Sequence, residues 1–311
     1  MQQEFRYVYQ VYKEGSISKA ANSLFITQPA LSIAIQKIEE GIGMPLFDRS
    51  SHPLELTPAG EIYIKAIEKV RNIDKELEEQ LQDIQQLKRG HICIGGSHYL
   101  NAYILPEILA GFSGKYPGIE VELAEHSAAI LTSMLKSHEI DLTFSCDEKR
   151  IVDFEKYPAF TDHVLLAVQE NHPINERLSK YSLSAVDIKN GKHLEKNCHA
   201  ITLDMIKDIQ FILLSEGNNL HARSIQMFKK EGYDPDIIMQ VSQLVTAYHM
   251  TEHFSAATFV SDRLVMYSQP RLKFYKLNYE CAERTFYILL PKQNYTSIAV
   301  KNFIQYFCTN C

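Results

Sequence analysis

No stretch of about 18 uncharged apolar residues occurs anywhere in the 311-residue chain, so no membrane partner is expected. Met1 is followed by Gln2, Gln3, Glu4 and Phe5 rather than by the basic and apolar segments of a secretion signal, and a cytoplasmic location is expected. Cysteine is sparse. Six in a chain of this length cannot build a disulfide framework, and Cys93, Cys146, Cys198 and Cys281 sit in or near apolar runs where a free thiol packs as a small hydrophobe. Cys308 and Cys311 have C-x-x-C spacing but lack the second pair or the strand-helix setting that a metal or redox site needs. Also missing are the G-x-S-x-G elbow, the phosphate loop G-x-x-x-x-G-K with a following Ser or Thr, and the H-E-x-x-H pair, so an enzyme is not expected. An excess of positive charge is absent too. Lys and Arg number 32 against 38 Asp and Glu, a net charge of −6, which excludes a chain coated in basic residues but not a local DNA-binding face.

What is present is ordinary globular material, 45% hydrophobic and 23% charged, in a length that suggests two folded units. Residues 1–57 hold short helical segments broken at Gly15-Ser16, at Phe25-Ile26-Thr27 and at Gly41-Ile42-Gly43. Residues 58–89 have no proline after Pro58 and no glycine after Gly60, and they space Ala66, Val70, Ile73, Leu77, Leu81, Ile84 and Leu87 by three and four. One long amphipathic helix is predicted, capped by Thr57 and begun by Pro58. Such a helix would be about 45 Å long, more than a small helical domain can cover. Its spare stripe, Ala66 to Ile84, needs a partner, most simply the same helix of a second copy. From Gly90 onward strands alternate with helices: His91–Gly95, Ile119–Glu125, Ile140–Ser145, then a second set from His163 through Phe211–Leu214 and Ile237–Val241 to Ala256–Val260. That rhythm predicts an α/β region with a largely parallel sheet. Leu178–His199 is less regular and is predicted to be a surface excursion.

The strongest local signal lies between Gly15 and Gly60. Ser16 caps a short helix whose Ala20, Ala21 and Leu24 form a compact inner face that a second helix can approach closely. After the turn, the segment from Gln28 to Glu40 sets Leu31, Ile35 and Ile38 on one stripe and leaves Gln28, Pro29, Ser32 and Gln36 on another. This is a helix-turn-helix with short polar groups at the start of its second helix, suited to hydrogen-bonding base edges in a major groove. Ser18 and Thr27 flank that start, and Arg49, Ser51 and His52 form a loop that would act as a wing on the phosphate backbone.

The series Gly15-Ser16, Ala20-Ala21, Leu24, Thr27-Gln28-Pro29-Ala30-Leu31-Ser32, Ile35, Glu39, Gly43, Leu46-Phe47, Arg49 and Leu56-Thr57-Pro58-Ala59-Gly60 resembles the LysR-type transcriptional regulators in order and spacing. The sequence departs from the family at Ile33, where a polar residue is frequent, and at His52-Pro53 in the wing. The resemblance implies an N-terminal winged helix-turn-helix (1–57), a dimerising linker helix (58–89) and a two-lobed α/β effector-binding domain (90–311) that resembles periplasmic binding proteins. Lobe one would comprise 91–162 and 267–311, lobe two 163–266, with two crossover strands as the hinge. It implies double-stranded DNA as partner at an interrupted palindrome, a homodimer or homotetramer, RNA polymerase as a further partner, and a small-molecule effector between the lobes.

In open α/β sheets ligands bind beyond the carboxyl ends of strands. Ser97, His98 and Tyr99 follow the first strand of the second region, Ser145 and Cys146 close another, and Ser215, Glu216 and Asn218 follow a strand of the other lobe. Ser97 is the expected anion contact, with a carboxylated metabolite the ligand class. His253 is assigned to the same cleft. Nothing in the spacing of His98, His253 and Cys146 brings them together, and no metal or cofactor is expected. Two other readings stay open, a cytoplasmic solute-binding protein and a cysteine-based oxidant sensor of the same family in which Cys198 would need a partner thiol.

Overall fold

A computed structural model describes residues 2–51, 53–84, 90–266, 271–292 and 295–311. It divides into two units, residues 1–81 and 82–311. In the first, α1 (Gln2–Glu14), α2 (Ile17–Ser23) and α3 (Gln28–Ile42) pack around Val8, Val11, Ala20, Ala21, Leu31 and Ile35, all fully buried or nearly so. A two-residue hairpin follows, β1 (Phe47–Asp48) antiparallel to β2 (Glu55–Leu56), and then the long α4 (Pro58–Ile84). Thr57 starts α4 as expected: its hydroxyl accepts from the Gly60 amide at 3.0 Å and donates to the Pro45 carbonyl at 2.6 Å. Only glycine fits at Gly60, where a Cβ would lie 2.0 Å from the Leu46 carbonyl oxygen. The rest of the predicted helix, 85–89 with Leu87, lies outside the described residues.

The second unit begins with β3 (Gly90–Gly96), α5 (His98–Tyr103), α6 (Leu105–Lys115), β4 (Ile119–Glu125), α7 (Ala128–Lys136), β5 (Leu142–Ser145) and α8 (Glu148–Ile151). β3 lies between β4 and β5, parallel to both. Its side chains alternate as a strand covered on both faces requires: Ile92 and Ile94 enter the main core with Phe112 and Phe303, while Cys93 faces a second cluster with Leu131, Leu135 and Ile140.

A single 15-residue strand, β6 (Glu155–Gln169), then runs through both lobes. After it come α9 (Ile174–Arg177), β7 (Ser182–Leu183), α10 (Ala185–Lys189), β8 (Ala200–Ile201), β9 (Gln210–Leu214), α11 (Asn219–Glu231), β10 (Asp236–Val241), α12 (Leu244–Thr251), β11 (Ala256–Ser261), α13 (Asp262–Val265), β12 (Leu272–Leu277), β13 (Glu283–Leu290) and α14 (Ile298–Asn310). The first half of β6 pairs with β13, which in turn pairs with β5. Its second half lies between β11 and β12, antiparallel to both, and β11 continues in parallel to β9 and β10.

Two expectations need correction. The return to lobe one falls between Leu277 and Glu283 rather than at 267, because β12 pairs with Leu165–Gln169 and with β7 and β8 in lobe two. Leu178–His199 is not a surface excursion. It buries Leu178, Leu183, Ile188 and His193, and it extends the lobe-two sheet through β7. The parallel reading holds for β3, β4 and β5 and for β9, β10 and β11, whereas the strands nearest the crossings are antiparallel.

Candidate nucleic-acid interface and effector cleft

The helix-turn-helix is built by burial on one side. Leu31 and Ile35 fix α3 against Ala20 and Ala21 of α2, where small side chains let the two helices approach. Thr27 caps α3 through its hydroxyl, which accepts from the Ala30 amide at 3.4 Å, and Ser16 caps α2 in the same way from Lys19. Thr27, Gln28, Pro29, Gln36 and Ser18 are exposed, Ser16 and Ser32 half-buried. Gln36 donates to Glu40 at 3.0 Å along its own helix. Phe25 occupies the turn with φ +57° and is 94% exposed, a left-handed backbone that a bulky residue seldom adopts. Sequence reading passed over it as a mere break.

Glu39 joins this helix to the wing. One carboxylate oxygen accepts from the Leu46 and Phe47 amides at 2.8 and 3.3 Å, and the other accepts from Arg49 at 2.9 Å. Arg49 is thus already paired, though its side chain remains half exposed and can turn outward. Ser51 is half-buried beside it, and His52 lies outside the described residues.

Within α4, Ile64 and Ile67 complete the first unit's core. On other faces Ala66, Val70, Ile73, Leu77 and Leu81 are all exposed, Ile73 at 64%. Ile84 closes the helix.

In the second unit the carboxyl ends of the strands converge on the crossings. β5 runs toward the end of β13 at which Glu283 pairs with His163, and β11 ends at Ser261 opposite Val164. The two lobes touch there. Tyr99 is buried, its hydroxyl 2.8 Å from that of Ser261 and donating to Asp162 at 3.2 Å. The Cys146 thiol donates to Asn219 at 3.2 Å, and Arg223 donates to the carbonyls of Cys146, Cys281 and Glu283. Ser145 is buried and accepts from the Asp147 amide at 3.1 Å.

Of the remaining cleft candidates, Ser97 precedes the six-residue α5 without a side-chain cap, and the ring of half-buried His98 lies 3.3 Å from Glu125. Asn218 caps α11 by accepting from Leu220 at 2.8 Å, with Ser215 half-buried and Glu216 exposed nearby. His253 does not belong to this group. It precedes β11, whose first residue Ala256 pairs with Gln210 at the amino end of β9, and the adjacent Glu252 carbonyl accepts from Gln169 at the far end of β6. The length of β11 separates it from the crossings.

Electrostatics at the crossings are strong. Arg284, fully enclosed, donates to both oxygens of the buried Asp162, one at 2.8 Å. Burial alone would lower the Arg284 pKa, but the Asp162 carboxylate carries it well above its ordinary value. Burial likewise opposes ionisation of Asp262, yet hydrogen bonds from His163 and His193 hold its carboxyl far below the usual range. The Asp262 contact in turn raises the pKa of His163. Burial pushes the Cys146 thiol up, away from the reactive thiolate. None of the six cysteines, all among the described residues, forms a disulfide.

A family profile described as the LysR substrate binding domain matches residues 85–311, and another, described as a bacterial regulatory helix-turn-helix protein of the lysR family, matches residues 2–61. The chain belongs to the LysR family of transcriptional regulators. It is 26% identical over 306 residues to YcgK, an uncharacterized HTH-type transcriptional regulator of Bacillus subtilis, across 96% of this chain and 91% of that one. A probable RuBisCO transcriptional regulator of Cyanidioschyzon merolae is 35% identical over 181 residues, 57% of this chain and 59% of its own. Among solved structures, full-length CbnR complexed with its target DNA superposes with a TM-score of 0.66 at 17% identity over the whole of both chains. Full-length OxyR from Pseudomonas aeruginosa gives 0.69 at 19% identity, over 99% of this chain and 94% of that one. Likenesses at such identity speak for the fold.

This LysR-family regulator therefore carries a DNA-binding helix-turn-helix and an effector-binding domain, and none of its described helices is long and apolar enough to cross a membrane. Sequence reading missed the groups that meet at the crossings: Asp162, Arg284, Asn219, Arg223, His163, His193 and Asp262. Asp162 and Arg284 stand 122 residues apart, and no local pattern marks them as partners.

Proposed function

We propose that the protein binds an interrupted palindrome in double-stranded DNA as a homodimer or tetramer, with α3 in the major groove. Gln28, Pro29, Ser32 and Gln36 would reach base edges, and Ser16, Ser18, Thr27, Arg49 and Ser51 would contact the backbone, Arg49 by leaving Glu39. Pairing of α4 along Ala66, Val70, Ile73, Leu77 and Leu81 would set the spacing of the two recognition helices. A small carboxylated metabolite held between the lobes by groups such as Ser97, Ser145, Ser215 and Asn218 would favour one arrangement of the lobes and so one geometry on DNA, a population shift. RNA polymerase would be the downstream partner. The observation that carries this reading is the two-sidedness of α3: Leu31 and Ile35 are fully buried, while Gln28 and Pro29 stand exposed at its start.

Substituting Ser32→Ala tests it. Loss of a base-edge hydrogen bond should weaken specific binding by roughly 1–2 kcal/mol and leave the salt dependence of nonspecific binding unchanged. Mobility-shift titrations against bound genomic fragments at several salt concentrations read both. Equal affinity of Ser32→Ala and the unaltered protein for every fragment would remove α3 from the groove.

A further inference from the structure

Three residues at the lobe-two side of the crossings bring metal-ligating atoms together from separate elements. His163 lies where β6 passes from β13 to β11, His193 lies in the turn Lys192–Leu194, and Asp262 opens α13 directly after β11. Asp262 Oδ2 is 3.2 Å from His163 Nδ1 and 3.0 Å from His193 Nε2, and the three ligand atoms lie within 4.8 Å of one another. Nitrogen and oxygen ligands at 2.0–2.1 Å around a tetrahedral ion stand about 3.3 Å apart, so two of the three spacings already suit an ion, and the third, between the two rings, is no more than 4.8 Å.

The surroundings favour the same arrangement. Asp262 Oδ1 is held by the backbone amides of His163 at 3.0 Å and Arg263 at 2.8 Å, which fixes the carboxylate and leaves Oδ2 as the inward atom. His163 Nε2, the nitrogen facing away from Asp262, is 3.7 Å from Glu283 Oε2. A carboxylate behind a ligating imidazole orients the ring and strengthens it as a ligand. His193 is 4% exposed and turns Nε2 to Asp262, so packing holds this ring in place with its ligand atom directed at the carboxylate. The His163 side chain is 33% exposed, which leaves an open side for a water or ligand oxygen as the fourth donor.

We propose that His163, His193 and Asp262 form a binding site for a divalent first-row transition-metal ion, of which zinc is the representative, at the lobe-two end of the crossings. Two imidazoles and one carboxylate suit zinc, iron, cobalt or nickel, and disfavour calcium and magnesium, which take oxygen ligands. Because the ligands come from the crossing strand, from the 178–199 segment and from the end of β11, a bound ion would fasten that segment to the crossing.

The test uses the full chain with Cys308→Ser and Cys311→Ser as background, so that the terminal thiols do not compete, stripped by a chelator and titrated with zinc chloride and cobalt chloride. One zinc per chain should bind. His163→Gln and His193→Gln should each weaken uptake at least about tenfold. Glutamine retains a donor toward Asp262, so both variants should keep the unaltered melting temperature in chelator. His163, the more exposed ring, decides the matter if His193→Gln fails to fold. Bound cobalt should give visible bands of nitrogen and oxygen ligation, without the near-ultraviolet charge-transfer band of thiolate. Absence of zinc uptake by the background, equal uptake by background and His163→Gln, or a thiolate band would each overturn the site and leave a plain hydrogen-bonded cluster.

Discussion

The two units place their polar groups in opposite ways. In the first, the polar side chains proposed to meet DNA stand outside an apolar core: Gln28, Gln36 and Ser18 are exposed, and Leu31 and Ile35 behind them are fully buried. In the second, the crossings of lobe one and lobe two bury Asp162, Arg284, Ser261, Tyr99 and His193 and satisfy them largely with one another. Exposed groups cost the fold little, whereas buried ones are part of the fold and are costly to leave without their partners. Substitution at the exposed groups should therefore leave the fold intact, while substitution at the crossings should act on the stability of the second unit.

The sharpest way to break this contrast is at Asp162. Asp162→Asn leaves the Arg284 guanidinium buried without its counter-charge and should destabilise the second unit by about 3–5 kcal/mol. Replacing both partners by apolar residues, Asp162→Leu with Arg284→Met, should recover much of that loss, since the desolvation cost of both charges disappears. Denaturant unfolding of the three variants reads the difference. A single substitution costing under about 1 kcal/mol would mean that the pair is effectively solvated and that the crossings are not a buried network.

A smaller effect on the fold, but a large one on assembly, is expected on α4. Ile73→Glu with Leu77→Glu alters two exposed positions, so the melting temperature of the chain at high dilution should hardly change. In a seam between two α4 helices the same charges would be desolvated without partners, at a cost of at least about 2 kcal/mol, and dimers should dissociate in light scattering. Persistence of dimers with unchanged DNA binding would place the assembly surface elsewhere.

The same contrast explains what was legible in the sequence. The helix-turn-helix could be read because its information is local: caps at Ser16 and Thr27, small residues at Ala20 and Ala21, and a stripe of Leu31 and Ile35 recur at spacings that one helix imposes. The strand-helix alternation of lobe one was legible for the same reason. The antiparallel β12 and β13 were not, since their pairing with β6 joins residues more than a hundred positions apart and leaves no periodic mark. Leu178–His199 was misread because polar side chains outnumber apolar ones there, although Leu183, Ile188 and His193 are what pack inward. The sequence offers no sign of which end of a strand His253 adjoins, and the register of β11 with β9 places it at the end away from the crossings. Elements whose signal lies within one stretch of chain were legible; the polar cluster assembled from three elements was not.

The smallest expected effect probes the 178–199 segment as part of the lobe-two fold. At its α10 the Ser184 hydroxyl accepts from the Asp187 amide while the Asp187 carboxylate accepts from the Ser184 hydroxyl and amide, a reciprocal cap, and Lys192 donates to the same carboxylate at 3.0 Å. The Ser184 hydrogen bonds first, and Lys192 after them, hold the Asp187 carboxyl down to about 2, below its ordinary 3.8. A carboxyl with a lowered folded-state pKa contributes stability that is complete above its unfolded value and is lost as pH falls through the folded value. Its worth, discounted for a side chain that is 30% exposed, is about 1 kcal/mol. Asp187→Asn should therefore be less stable than the unaltered chain by about that amount near neutral pH, with the gap closing between about pH 4 and pH 2. Paired denaturant titrations across that range measure it, and a gap that stays constant with pH would show that the cap is not held by the ionised carboxylate.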